Sequence, residues 1–299
     1  MKPELQANEL LLEGPLGGDL LGFLCALGTS RLLEPLGVRM RWMRSQRGWS
    51  PVLAGMTDVE TTLTHLEIKL AECRQDWTTV LGTGANQLED IRMPLPEFRR
   101  RALATREMLA ASQLLASVAT DLSSKVDAKT KTDRCMASQL AFTPVAQTSW
   151  VGNVDTVLAQ VERSKLRAAL FSPWTYPDPA KSATFTWDPR EFRDHALMAG
   201  NPSSPPTHER ATTQLGAAIL ALAALPLFPT IGARNAVYTH AFRPKSRRPL
   251  HPVRVVWPIW LGALSAETSA AALAIQWEHE PQKRRISAGV AAVYEAPLL

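Results

Sequence analysis

The stretch ELLLEGPLGGDLLGFLCALGTSRLLE, residues 9–34, holds a strand, a turn and a helix in one run. Its first six residues read as a strand. Gly17, Gly18 and Asp19 form a tight turn that ends in an N-cap, and the apolar-periodic remainder predicts a helix to about Glu34. Next, VRMRW (38–42) alternates apolar and basic residues and RGWSPVL (47–53) follows, which together predict a hairpin. Thr57 with Glu60 matches a capping box opening a helix to about Trp77, and LGTGANQ (81–87) reads as a loop. A helix flanked by strands and a hairpin sets the class as α+β.

Further along, PEFRRRALATREMLAASQLLASVATDL (96–122) is the longest helical pattern, basic at Arg99, Arg100, Arg101 and Arg106 and apolar later. SSKVDAKTKTDR (123–134) lacks apolar periodicity and reads as an exposed charged linker. It divides an N-terminal α+β unit (1–122), with its long helix, from a C-terminal α+β unit (135–299). Helices are predicted near 154–170, 208–225 and 265–278, and ISAGVAAVYEA (286–296) as a terminal strand. NAVYTHAFRP and HPVRVVWPIW read as the arms of a hairpin around a basic loop. The expected fold is helix-rich α+β with short antiparallel strands and hairpins.

Hydrophobic residues make up 45% and charged residues 20%, the balance of an ordered globular protein. Cys25, Cys73 and Cys135 are widely spaced and form no CxxC, and the start shows no signal peptide, so a cytoplasmic setting is expected. The longest apolar run, 215–228, contains Pro226 and falls short of the ~20 residues a bilayer requires, so no membrane is expected. Residues 231–299 hold nine Lys/Arg against four Asp/Glu, which accounts for the whole net charge of +5. Its densest part is RPKSRRPLHPVR (243–254). Such a loop either meets a phosphate backbone or is simply solvated.

Motifs for chemistry are sparse. EGPLGGDLLG lacks the GK[ST] of a P-loop and the GxGxxG of a dinucleotide fingerprint, and Asp19 repels an anion there. His208-Glu209 lacks the second histidine of HExxH, His279-Glu280 has no partner at ligand spacing, and His240 with His251 makes a poor zinc pair. No GxSxG occurs, no cysteine sits in an activating context, and Cys25 falls on a core-facing helix. Catalytic residues, metals and cofactors are therefore not expected.

The segment TFTWDPREFRDHALMAGNPSSPP (184–206) is the most densely specified. Asp188, Pro189 and Glu191 fit the start of a helix. Its charges pair at helical spacing, Arg190 with Asp194 and Glu191 with His195, which suits a laced helix surface. Trp187, Arg190 and Arg193 remain candidates to touch a partner, and Trp187, Trp257 and Trp260 beside basic segments are candidates to stack on a base or to anchor the core.

Two regions resemble a known family. LEGPLGGDLLGFLCALGTSRLLEPLGVRMRW with GWSPVL, and the WDP–R–AL–NPS pattern leading into LGAAILALAALPLFP, are similar to CRISPR-associated proteins of type I-G (formerly I-U) systems. The likeness leaves 57–150 unmatched, and His195 stands where an aromatic such as Tyr is expected. In those systems related proteins are large-subunit-like or helicase–nuclease-extension components. The resemblance implies a non-enzymatic subunit of an antiviral interference complex, bound to guide RNA or target DNA and to other effector subunits. It carries over no catalytic residues. Arg243, Lys245, Arg247, Arg248 and Arg254 are then expected at phosphates. Arg99, Arg100, Arg101, Lys125, Lys129 and Lys131 are secondary. The alternative is an adaptor joining the effector to its nuclease through the 187–195 element, and a third reading is an enzyme using Glu191, Asp194 or His195.

Overall fold

The computed structural model describes residues 5–127, 130–141, 150–179, 185, 187–188, 212–233, 236–243 and 254–297. Strand β1 (Glu9–Leu11) lies antiparallel to β3 (Gly48–Ala54), which pairs with β2 (Arg39–Ser45) in the order β1-β3-β2. Helix α1 (Leu20–Leu33) starts after Asp19 and is buried at every residue but Arg31. A helix this apolar all round has to be enclosed. It crosses α7 (Leu215–Ala224), whose ten residues are all buried. The crossing is close because Gly28 has no side chain: a Cβ there would stand 1.8 Å from the Leu220 carbonyl oxygen. The predicted strand, turn, helix and hairpin of 9–53 are all present.

Around this pair lie α2 (Val59–Leu81), α3 (Leu95–Thr105), α4 (Leu109–Val118), α5 (Trp150–Leu158) and α6 (Arg163–Phe171). Asp58 rather than Thr57 caps α2, its carboxylate accepting from Thr61 N–H at 2.6 Å. The helix predicted over 96–122 breaks at 106–108. Phe98, Arg101 and Thr105 are buried on α3, and Ala111, Leu114, Leu115 and Val118 on α4. At 3.6 residues per turn these two sets fall on different faces, so a straight helix would expose one of them. After α4 the chain extends as β4 (Ala119–Val126) and returns as β5 (Asp133–Ala137). The segment expected as a linker is thus part of a hairpin, with Ser123 buried between exposed neighbours and Cys135 buried between half-buried ones. A strand whose buried position within the segment is a short polar serine carries little hydropathy signal.

Short ribbons β6 (Asp178–Pro179) with β7 (Thr212–Thr213) and β8 (Thr230–Ala233) with β9 (Ala236–Thr239) lead to a second sheet. It contains β10 (Phe242–Arg243), β11 (Arg254–Trp260) and β12 (Val290–Pro297) in that order, all antiparallel. Between β11 and β12 lie α8 (Ala266–Ala274), capped by Ser265 on Thr268 N–H, and α9 (Gln282–Ser287). The predicted terminal strand therefore begins at Val290, because Ile286 and Ser287 close α9. One hydrophobic cluster runs from Leu12 to Leu273 and draws on both predicted units. The fold is α+β, with small antiparallel sheets. No described helix is long and apolar enough to cross a membrane.

Candidate nucleic-acid interface

The basic hairpin forms as expected at its base. Phe242 pairs with Val255 and Arg243 with Arg254, which brings the ends of 244–253 together. Two guanidiniums placed opposite each other repel, and the fold supplies a carboxylate to each. Arg243 donates Nε–H to Glu278 Oε1 at 2.9 Å and further protons to the Phe242 and Ile275 carbonyls at 3.0 and 3.1 Å. Both partners of that ion pair are only 13% exposed. Arg254 pairs with Glu295 on β12. Arg243, expected at a phosphate, is thus a half-buried structural tie, since its Nε and both Nη already face acceptors. Burial, then the Arg243 charge, holds the His240 pKa below its ordinary 6.5.

Lys245, Arg247, Arg248 and His251 lie outside the described residues, as do Lys129, Arg190, Arg193 and the rest of the helix predicted after Asp188. His208 and Glu209 lie outside them too.

The second basic cluster divides. Arg101 is 5% exposed and ties α3 to the end of α2, donating to Glu97 Oε1 (2.6 Å), Val80 O (2.6 Å) and Asn86 O (3.1 Å). It cannot reach a phosphate. Arg100 and Arg99 are exposed, on Glu97 and Asp121. The hydrogen bond from Arg100, followed by that from Arg101, holds the Glu97 carboxyl below its usual range. Lys125 and Lys131 stand exposed on the β4–β5 hairpin, Lys125 opposite Arg134. Lys283 and Arg284 on α9 are also exposed, with Arg285 half-buried beside them. The KRR triplet at 283–285 was the available signal.

The aromatic candidates are core. Trp187 is 2% exposed, donates to Leu140 O at 3.2 Å and stacks on Phe185 at 4.6 Å. Neither a base nor a partner surface can reach it. Trp257 and Trp260, 1% and 2% exposed, donate to Gly17 O (2.7 Å) and Met40 O (3.0 Å). They pack around Phe23 with Trp42. The glycine turn is part of this packing, for Gly17 N–H donates to Trp49 O and a Cβ at this position would run into Trp42 and Ile259. Cys25 lies in the core of α1 as expected. Burial pushes the Cys73 and Cys135 thiols up to about 11 and Cys25 higher still, so all three stay protonated at neutral pH. Among the described residues no three His, Cys, Asp or Glu side chains group to hold a metal.

No protein-family model, curated protein or solved structure matches this chain. Its own geometry and the sequence resemblance therefore carry the functional reading.

Proposed function

We propose that the chain is a non-catalytic subunit that contacts a nucleic-acid backbone, guide RNA or target DNA, within a cytoplasmic CRISPR effector complex of the type I-G kind. The hairpin base carries this reading. The base arginines are claimed by Glu278 and Glu295, and the ten residues 244–253 between them hold Lys245, Arg247 and Arg248 with no acid. Three such cations on one short connection suit phosphates, which demand charge rather than pockets. The sequence resemblance supplies the assembly, where base pairing reads sequence and protein holds backbones. The adaptor alternative through Trp187 gains nothing from a side chain buried in the core.

The test is fluorescence anisotropy with labelled single-stranded RNA and duplex DNA, from ~50 to ~200 mM salt. Changing Arg247 and Arg248 to Ala should weaken binding and flatten the log–log salt slope by about 0.7 to 0.9 per lost contact. Unchanged affinity and slope would remove the hairpin from the reading.

A further inference from the structure

A cleft of about 610 Å³ opens where the end of α1 meets α2, α4 and α8. Its lining contrasts with the basic hairpin: Glu34, Glu72, Asp76 and Glu267 face only two cations, Arg31 and Lys69. Two of the acids are committed. Glu34 Oε1 accepts the Ala266 N–H at the start of α8 (2.9 Å), and Glu72 pairs with Lys69 (2.8 Å). Among the described residues Asp76 and Glu267 have no hydrogen bond and no ion pair. The walls are apolar, with Leu32, Leu109 and Leu227, and Leu109 is 73% exposed.

Two further side chains line the same cleft with donors to spare. Arg31, the one residue of α1 outside the core, donates a single hydrogen bond, Nη1–H to Ala223 O at 3.1 Å in the last turn of α7. A guanidinium carries five N–H donors, so most of Arg31 is unmatched, and burial lowers its pKa from the ordinary value. Cys73, 7% exposed, lines the same cleft and its thiol has no hydrogen-bond partner among the described residues. Phosphate does not fit, because four carboxylates repel it.

We propose that this cleft docks a cationic peptide segment of a partner protein, its backbone carbonyls accepting from Arg31 and its Lys or Arg side chains meeting Asp76 and Glu267. A peptide supplies both chemistries at once, acceptors along the chain and cations on its side chains. The aliphatic stems of Lys and Arg match the Leu32, Leu109 and Leu227 walls. Charge complementarity selects this occupant on a protein otherwise positive. Desolvation, partly opposed by Arg31, raises the Asp76 carboxyl above its ordinary 3.8, and an incoming cation relieves that penalty.

The probe is a short, capped, fluorescent peptide of Lys, Arg and Leu, titrated at low salt against the full chain. Its counterpart carries Glu for every cation. The cationic peptide should bind and the acidic one should not. Asp76→Asn with Glu267→Gln should weaken binding at least ~10-fold, and Gln113→Lys on the exposed rim should also weaken it. Melting curves check that each variant folds. Arg247→Ala/Arg248→Ala should leave peptide binding unchanged, which separates this site from the nucleic-acid reading. Equal binding of both peptides, no binding, or insensitivity to the double variant would overturn the proposal. So would dimerisation that Asp76→Asn/Glu267→Gln abolishes, since a second copy would then be the occupant.

Discussion

At the scale of single residues, Gly28 decides how closely the two central helices approach. A methyl added there collides with the Leu220 carbonyl at 1.8 Å, and the Ala224 amide nitrogen lies at 3.1 Å. Backbone atoms cannot swing aside as a side chain can. Alanine gains up to about 1 kcal/mol of helix propensity, but overpacking two buried helices costs about 1–3 kcal/mol. Gly28→Ala should therefore lower the urea midpoint despite its better propensity, and a raised midpoint would show that the helices part freely. Neighbouring Arg31 shows the opposite limit of legibility. The sequence presents it as one polar residue interrupting an apolar helix, and nothing local says that it faces Asp76 across a cleft.

Among elements, the β10–β11 hairpin separates structural from available charge. Sequence density alone ranks Arg243, Arg247, Arg248 and Arg254 together, because each is a cation on the same short segment. Glu278 and Glu295, 35 and 41 positions away, single out Arg243 and Arg254. Arg243→Ala leaves the half-buried Glu278 without this ion pair, a loss of about 1–3 kcal/mol. The expected result is a lower melting temperature with an unchanged nucleic-acid salt slope. A flatter slope would return Arg243 to the interface. The same long-range logic moves Arg101, which looks identical to Arg99 and Arg100 in RRR, into the interior on Val80 and Asn86 carbonyls.

For the whole molecule, titration links these ties to stability. Hydrogen bonds hold the carboxyl of Glu9, paired with Arg41 at 2.6 Å, below its ordinary 4.5. A depressed carboxyl binds fewer protons folded than unfolded, so its stabilisation is complete above 4.5 and is lost as pH falls through the folded value. His240, depressed from 6.5, acts earlier: the unfolded imidazole takes a proton first, so stability declines as pH drops below 6.5. Asp76, raised from 3.8, opposes both, since the folded state gains its proton first. Melting temperature should fall gently below pH 6.5 and steeply below about 4.5, and Glu9→Gln should blunt only the second fall. A profile flat to pH 3 would sink this account.

By itself the sequence determined the α+β class, the opening strand, helix and hairpin, an enclosed helix within 208–225, which starts at Leu215, and the pairing of the basic hairpin's base. Those features rest on local periodicity and caps, which neighbouring residues carry. Only the tertiary structure decided that 96–122 bends and turns to strand, that 119–126 and 133–137 pair as a hairpin, that Arg101 and Trp187 face inward, and that Arg243 is tied to Glu278. Each of these depends on partners brought near by folding: an opposing carboxylate, an orphan carbonyl, a ring to stack on. A cleft walled by four separate helices is likewise a property of packing.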